Sequence, residues 1–209
     1  ENESAIGTAT ATDADGDDVT FTVSGSELEI TSAGVLTFVT APDYETKTSY
    51  TATVSASDGT NTTTQDITVN ITNVNDVAPE FTSDATFSAA ENQTAIGTVT
   101  ATDAEGDTVT FTISGTDLEI TSAGVLTFAS APDYETDTSF TATVTASDGT
   151  NSTTQDITVN VTNVNDNSPQ FTSGANFSAE ENQTAIGTVT ATDADGDTVT
   201  FTISGSELQ

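Results

Sequence analysis

The chain has 209 residues, of which 33 are Asp or Glu and only one is Lys or Arg, so its formal net charge is -32. Without a cationic surface to neutralise phosphates, the chain is excluded from binding nucleic acid or an anionic membrane surface. It contains no Cys, so disulfides cannot hold it together, and no apolar run reaches the roughly 20 residues that span a bilayer. The composition favours cations as small partners, although an acidic surface that only maintains solubility in a salty medium is a second explanation.

A repeat of 90 residues organises the chain. The segment that begins at Glu1-Asn2 returns at Glu91-Asn92 and at Glu181-Asn182, and residues 1–90 and 91–180 are identical at 69 positions. A unit of this length suits one complete small domain rather than one turn of a solenoid. We therefore predict a first repeat over 1–77 that lacks the start of its first strand, a complete repeat over 78–167, and the N-terminal part of a third over 168–209.

Apolar and hydroxylated residues alternate along each repeat, which is the period of half-buried β-strands. In the first repeat the predicted strands lie at Val19–Val23, Leu28–Ile30, Leu36–Phe38, Tyr50–Ala56 and Ile67–Ile71. Turn residues separate these runs, and no segment shows a helical period. The pattern predicts an all-β fold with about seven strands per repeat, an immunoglobulin-like number, in two packed sheets with a polar exterior.

Carboxylates concentrate in the predicted turns and in the connector between repeats, which spans residues 73–79 and recurs at 163–169. Loops at one end of a sandwich lie close together, and crowding this many like charges is destabilising unless a cation joins them. Oxygen ligands without His or Cys disfavour zinc and copper and favour calcium, since magnesium keeps more of its water. The clusters of the first repeat are Glu1, Asp13-Ala14-Asp15-Gly16-Asp17, Asp43-Tyr44-Glu45, Asp58 and Asn75-Asp76.

Five motifs, which stand in the same order and spacing as in a known family, resemble the cadherin repeat. They are Glu1-Asn2, Ala11–Asp15, Asp43–Glu45, Ala56–Gly59 and Asn73–Phe81. The resemblance covers the whole chain and implies tandem immunoglobulin-like, seven-stranded Greek-key β-sandwiches. The copies are rich in Thr and nearly lack Lys, and in this they resemble the bacterial cadherin-like repeats of large surface adhesins more than animal cadherins.

The resemblance also implies that Ca²⁺ binds between consecutive repeats, with two or three ions at each complete junction. The ligands it implies at the first junction are Glu1, Asp43, Glu45, Asn75, Asp76, Val77 through its carbonyl, Asp103, Glu105 and Asp148. Those at the second junction are Glu91, Asp133, Glu135, Asn165, Asp166, Asn167, Asp193 and Asp195. The matching carboxylates of the first repeat are Asp13, Asp15 and Asp58.

Three positions depart from the family pattern. The connectors open with Asn73 and Asn163 where the family usually has Asp, which lowers the negative charge available to an ion. Val77 replaces the usual Asn, which Asn167 retains, but that position contributes a backbone carbonyl. Glu105 replaces an Asp, and its longer side chain is expected to shift one ligand.

The residues and the resemblance together predict calcium-rigidified extracellular stalk repeats of a bacterial cell-surface adhesin, whose partners are neighbouring repeats. Catalysis is not expected, because the Asp43 and Glu45 pair recurs with the connector and the chain has no His or Cys nucleophile system. One alternative is a subunit of an extracellular fibre or surface layer, assembled by strand exchange with other copies.

A calcium-dependent glycan-binding module is a further alternative, which would need an exposed aromatic platform. The aromatic residues, such as Phe21, Phe38 and Phe111, instead stand at positions in phase with the predicted core. A covalent Lys–Asn cross-link is restricted to the first repeat, because Lys47 is the only Lys and its counterpart is Asp137.

Overall fold

The computed structural model describes residues 1–205, whose regular structure consists entirely of β-strands. The last four residues of the predicted third repeat, 206–209, lie outside the described part of the chain. The chain divides into two compact units, one of residues 1–78 and 103–108 and one of residues 79–102 and the chain from 109 onward. The described residues include no helix long and apolar enough to cross a membrane.

The first unit contains two antiparallel sheets of three strands each. One sheet has the order β1 (Ala5–Thr8), β4 (Val35–Phe38), β3 (Leu28–Ile30), and the other has the order β2 (Thr20–Val23), β5 (Ser49–Ser57), β6 (Thr62–Asn70). Four of the five predicted strands form within one residue of their expected limits, whereas β6 begins five residues before the predicted Ile67.

The second unit contains a four-stranded and a three-stranded sheet, whose seven strands confirm the predicted sandwich. In order, the first sheet consists of β11 (Thr110–Ile113), β14 (Ser139–Ser147), β15 (Ser152–Thr162) and β8 (Thr86–Ala90). The second consists of β12 (Leu118–Ile120), β13 (Val125–Phe128) and β9 (Ala95–Thr98). Two short ribbons pair β7 (Glu80–Phe81) with β10 (Ala101–Thr102) and β16 (Gln170–Phe171) with β17 (Ala191–Thr192).

Strand β8 runs parallel to β15 and covers one edge of the second unit, whereas the other main pairings are antiparallel. In the first unit β6, the counterpart of β15, pairs only with β5 among the described residues. The cores differ accordingly: Leu126 and Val144 are fully buried, while their counterparts Leu36 and Val54 keep 8% and 7% of their surface exposed. The second core is therefore the better covered of the two.

The third repeat forms only β16 and β17 within residues 168–205. Phe201 is 50% exposed, although its counterpart Phe111 is 7% exposed in the second repeat. Phe111 lies on β11, which pairs with β14, and residues 168–205 contain no counterpart of β14. Phe201 thus occupies a position that is buried in the second repeat, but the described part of the third repeat does not cover it.

Gly124 lets β13 approach β9 closely at the turn before β13. Its carbonyl accepts a hydrogen bond from the Val99 nitrogen at 2.9 Å, and its φ of +87° lies in the left-handed region. A Cβ atom at this position would lie 2.2 Å from the Val99 carbonyl oxygen. Gly115 has the same φ of +87°, but a Cβ there would meet no atom within 4 Å.

Gly124→Ala and Gly115→Ala separate backbone strain from steric overlap. Both changes place Ala at a left-handed φ, which costs about 1 kcal/mol. Only Gly124→Ala also forces two hydrogen-bonded strands apart, which adds about 1–3 kcal/mol by overpacking. We expect urea denaturation, followed by circular dichroism, to show the larger loss of unfolding free energy for Gly124→Ala. Equal losses for the two variants would contradict this account of the turn.

Candidate metal centre

Glu91, directly after β8, is a buried carboxylate that joins two loops. It is 3% exposed, and its two oxygens accept hydrogen bonds from the backbone nitrogens of Tyr134 at 2.8 Å and Val164 at 2.7 Å. Tyr134 lies in the loop after β13 and Val164 lies in the connector. The first unit repeats the arrangement, because Glu1 accepts hydrogen bonds from the nitrogens of Tyr44 and Val74 at 2.5 and 2.7 Å. This Glu therefore fixes the connector to the loop.

Asn92 adds a second link between the same two segments. Its φ of +63° is one that Asn tolerates better than most residues. Its backbone nitrogen donates to the Pro132 carbonyl at 3.0 Å, and its side-chain amide donates to Asp166 Oδ2 at 2.5 Å. Asn2, with a φ of +61°, donates in the same way to Asp76. The Glu-Asn pair thus orients a connector carboxylate in each unit.

Four carboxylates meet beside the second connector. One oxygen from each of Glu91, Glu135, Asp166 and Asp195 lies within 4.8 Å of the others. The turn that holds Asp195 is held against the connector, since Asp195 Oδ2 accepts a hydrogen bond from the Asn167 nitrogen at 2.8 Å. The group therefore draws on the end of β8, the loop after β13, the connector and the turn after β17.

The first unit contains two smaller groups of carboxylates. One consists of Glu1, Glu45 and Asp76, and the other consists of Asp103, Glu105 and Asp107. Asp103 Oδ2 and Glu105 Oε2 are buried and accept no hydrogen bond from the described residues. A buried carboxylate oxygen without a donor is costly, so these two atoms mark a place where a cation would be stabilising.

A short acidic turn builds the second of these groups. Asp103 Oδ1 accepts hydrogen bonds from the backbone nitrogens of Glu105 at 3.1 Å and Asp107 at 3.0 Å, which bends the chain so that the three carboxylates converge. The same turn in the third repeat gathers Asp193, Asp195 and Asp197. The first repeat has the corresponding turn, in which Asp13 Oδ1 accepts hydrogen bonds from three backbone nitrogens at 2.8 to 3.3 Å.

The electrostatics of these groups reflect burial and mutual repulsion. Burial raises the pKa of Glu45, and the negative charges of Glu1 and Glu105 raise it further. Burial likewise raises the pKa of Glu105 and of Glu135. Burial alone would also raise the pKa of Asp195, but hydrogen bonds from Asn167 outweigh it and hold that pKa below its ordinary value.

Many of the ligands that the sequence analysis predicted lie in these groups. They are Glu1, Glu45, Asp76, Asp103, Glu105, Glu91, Glu135, Asp166, Asp193 and Asp195. The structure places the other predicted carboxylates, Asp13, Asp15, Asp43, Asp58, Asp133 and Asp148, outside them. Asp43, for example, accepts a hydrogen bond from Thr46 Oγ1 at 2.8 Å and so organises its own turn. Whether any of these residues binds a metal stays a prediction.

The predicted connector residues differ in their contacts. Asn75 donates from its side chain to Asp107 Oδ2 at 2.9 Å, while Asn165 is exposed. Asp107 and Asp197 are absent from the ligands predicted above, although each is the third carboxylate of an acidic turn. Asn2 and Asn92 are absent as well, because no sequence pattern indicates their positive φ.

The lone Lys lies against a carboxylate and an aromatic ring. Lys47 Nζ lies 2.6 Å from Glu27 Oε1 and 4.3 Å from the centre of the Tyr50 ring, so its partner is a carboxylate rather than an Asn amide. Among the aromatic residues predicted to face the core, Phe38 and Phe111 are buried and Phe21 is half-buried.

Comparison of the sequence with known proteins finds cadherins. The chain is 30% identical over 179 residues to the human cadherin EGF LAG seven-pass G-type receptor 1, which covers 78% of the chain. It is 33% identical over 197 residues to the protocadherin-like wing polarity protein stan of Drosophila melanogaster, which covers 80% of the chain. Each match covers 6% of the relative's own length. No family model matches the sequence.

Comparison of structures finds the same fold. Mouse cadherin-23 EC22-24 aligns with 91% of the chain and 71% of its own length, with a TM-score of 0.69 and 24% sequence identity. One identification accounts for the repeated motifs, the sequence relatives and the sandwich in which β8 runs parallel to β15. The chain carries tandem cadherin-like repeats.

Proposed function

We propose that this chain is a calcium-stiffened extracellular spacer of a cell-surface adhesin, in which Ca²⁺ binds beside each connector. The observation that carries this proposal is the group formed by Glu91, Glu135, Asp166 and Asp195, whose oxygens lie within 4.8 Å of one another. The only Lys of the chain is paired with Glu27, so no basic side chain neutralises this group. A cation is the partner that the group lacks.

The donor set matches calcium better than other common metals. All the candidate donors are carboxylate, amide or backbone oxygens, and the sequence contains no His or Cys. Calcium takes six to eight oxygen ligands in flexible geometry, whereas magnesium demands a near-ideal octahedron and retains water. The buried, unpartnered oxygens Asp103 Oδ2 and Glu105 Oε2 fit the same requirement in the first unit.

Stiffening follows from which segments the carboxylates belong to. Glu91 and Glu135 come from the second repeat, Asp166 from the connector and Asp195 from the third repeat. An ion held by all of them ties three consecutive segments together and removes their mutual repulsion. Because calcium binds this arrangement better than a loosened one, mass action shifts the chain towards the tied state.

The stalk role is supported by the uniformity of the repeats. Residues 1–90 and 91–180 differ at only 21 positions, so neither copy presents a large surface that the other lacks. Such copies suit a spacer that holds another part of a protein away from a cell. The cadherin relatives support an adhesive setting and a non-catalytic role. The Thr-rich, Lys-poor composition supports a bacterial surface protein.

A subunit of a fibre assembled by strand exchange is a second candidate function. The observation that favours it is the outer edge of β6, which has no partner among the described residues, whereas β15 pairs with β8. Residues 176–180, which correspond to β8 in the third repeat, form no strand and are exposed. Concentration-dependent sedimentation of the chain distinguishes this candidate, since a spacer stays monomeric.

Glu135→Gln tests the proposed calcium ligands of the second unit. The change removes one charge from the four-carboxylate group, and we expect calcium affinity there to fall at least about tenfold, measured by isothermal titration calorimetry. Glu119→Gln removes the same charge from an exposed position on β12 of the same unit and serves as the control. Its affinity should stay within about twofold of the unchanged chain, because Glu119 lies outside the four-carboxylate group and its exposed charge is screened. Equal affinities for the two variants would contradict the assignment.

Calcium removal tests the stiffening itself. Small-angle X-ray scattering of the chain in calcium should give a pair-distance distribution that extends further than in chelator. Magnesium at matched ionic strength separates specific binding from screening, and we expect it to leave the chelator profile almost unchanged. Superimposable profiles in calcium and chelator would rule out calcium as the stiffening agent.

A further inference from the structure

One connector position that differs between the two units lies beside the carboxylate groups. The connectors are otherwise alike from position 73 to 76 and from 163 to 166, but the next residue is Val77 in one and Asn167 in the other. The side-chain nitrogen of Asn167 lies 2.8 Å from Asp166 Oδ1, 3.1 Å from Glu135 Oε2 and 3.1 Å from Asp195 Oδ1. The two N–H bonds of one amide therefore lie within reach of three carboxylates.

The backbone of this position behaves alike in both units. The Val77 nitrogen donates to Glu105 Oε1 at 3.0 Å, as the Asn167 nitrogen donates to Asp195 Oδ2 at 2.8 Å. The side chains differ, because Val77 is 40% exposed and has no polar atom to offer. At this position the two connectors thus differ in the side chain and not in the backbone contact.

The grouping of the carboxylates also differs between the two connectors, where the turn carboxylate is Glu105 in one and Asp195 in the other. With Asn167 present, Asp195 joins Glu91, Glu135 and Asp166 in one group of four. With Val77 in its place, the corresponding Glu105 stands in a separate group from Glu1, Glu45 and Asp76. Hydrogen bonds to ionised carboxylates are stronger than those between neutral groups, so an amide shared by three of them offsets part of their repulsion.

We propose that the Asn167 side-chain amide substitutes for the cation at the second connector and keeps its carboxylates together in the absence of metal. The first connector has Val77 at this position and depends on the cation to join its two groups of carboxylates. The predicted effect of calcium rests on the function proposed above. The predicted role of Asn167 in the metal-free chain does not depend on that function.

Removing the amide is expected to change the protection by calcium in one direction. The amide donates to carboxylates that the cation is proposed to bind, so it stabilises the metal-free form more than the metal-bound form. Removing the amide must then increase the protection that calcium gives to the connector. A purely structural role would lower the protection of both forms equally, and a role in assisting the bound ion would reduce the effect of calcium.

Reciprocal substitution tests the proposal: Asn167→Val in one variant and Val77→Asn in another. Hydrogen–deuterium exchange of residues 163–168 and 73–78 is measured by mass spectrometry in chelator and in calcium. In chelator, Asn167→Val should speed exchange at 163–168 at least about threefold, near the low end of the effect of one lost hydrogen bond, and Val77→Asn should slow exchange at 73–78. In calcium, each variant should exchange like the unchanged chain.

The outcomes separate this proposal from the proposed function. If Asn167→Val leaves exchange in chelator unchanged, or if it diminishes the effect of calcium, the amide does not substitute for a cation. If calcium protects neither connector in any variant, the proposed calcium function fails, while the comparison in chelator still decides the role of Asn167. Thermal unfolding in chelator provides the folding control, since neither position contributes to the buried core.

Discussion

Repulsion among carboxylates crowded beside the connectors is the constraint on which the rest of this structure depends. The chain has 33 acidic residues and one basic side chain, so ion pairs cannot relieve the crowding. The structure uses three other kinds of positive partner. Backbone nitrogens hold Glu91, side-chain amides of Asn92 and Asn167 hold connector and turn carboxylates, and the remaining oxygens are left for a cation.

The sandwich matters to the site because it brings distant segments of sequence to one place. Strand β8 ends at Glu91, and its parallel pairing with β15 puts that residue beside the connector that follows β15. The Glu91 nitrogen donates to the Thr162 carbonyl at 3.1 Å, which continues the sheet to the start of the connector. The rigid core thus supports a carboxylate whose neighbours lie in loops, an arrangement in which ligand geometry is preset while loop spacing can respond to an ion.

The sequence was sufficient to predict the strands, because alternation of apolar residues sets which face of a sheet is buried. It was also sufficient to predict that Glu1, Glu45 and Asp76 belong together, since the family motifs repeat in register. It could not predict the parallel pairing of β8, which depends on long-range packing, or the left-handed Asn92. Asp107 was not predicted as a ligand, because its proximity to Asp103 arises from backbone hydrogen bonds within the turn, which spacing alone does not reveal.

Anomalous diffraction from crystals grown in calcium tests the central claim most directly, because it locates the ion rather than its consequences. The account predicts anomalous peaks among Glu91, Glu135, Asp166 and Asp195 and between the two carboxylate groups of the first unit, with oxygen contacts near 2.4 Å. Refined carboxylates at these positions that contact only water or one another, with no anomalous signal at millimolar calcium, would contradict it.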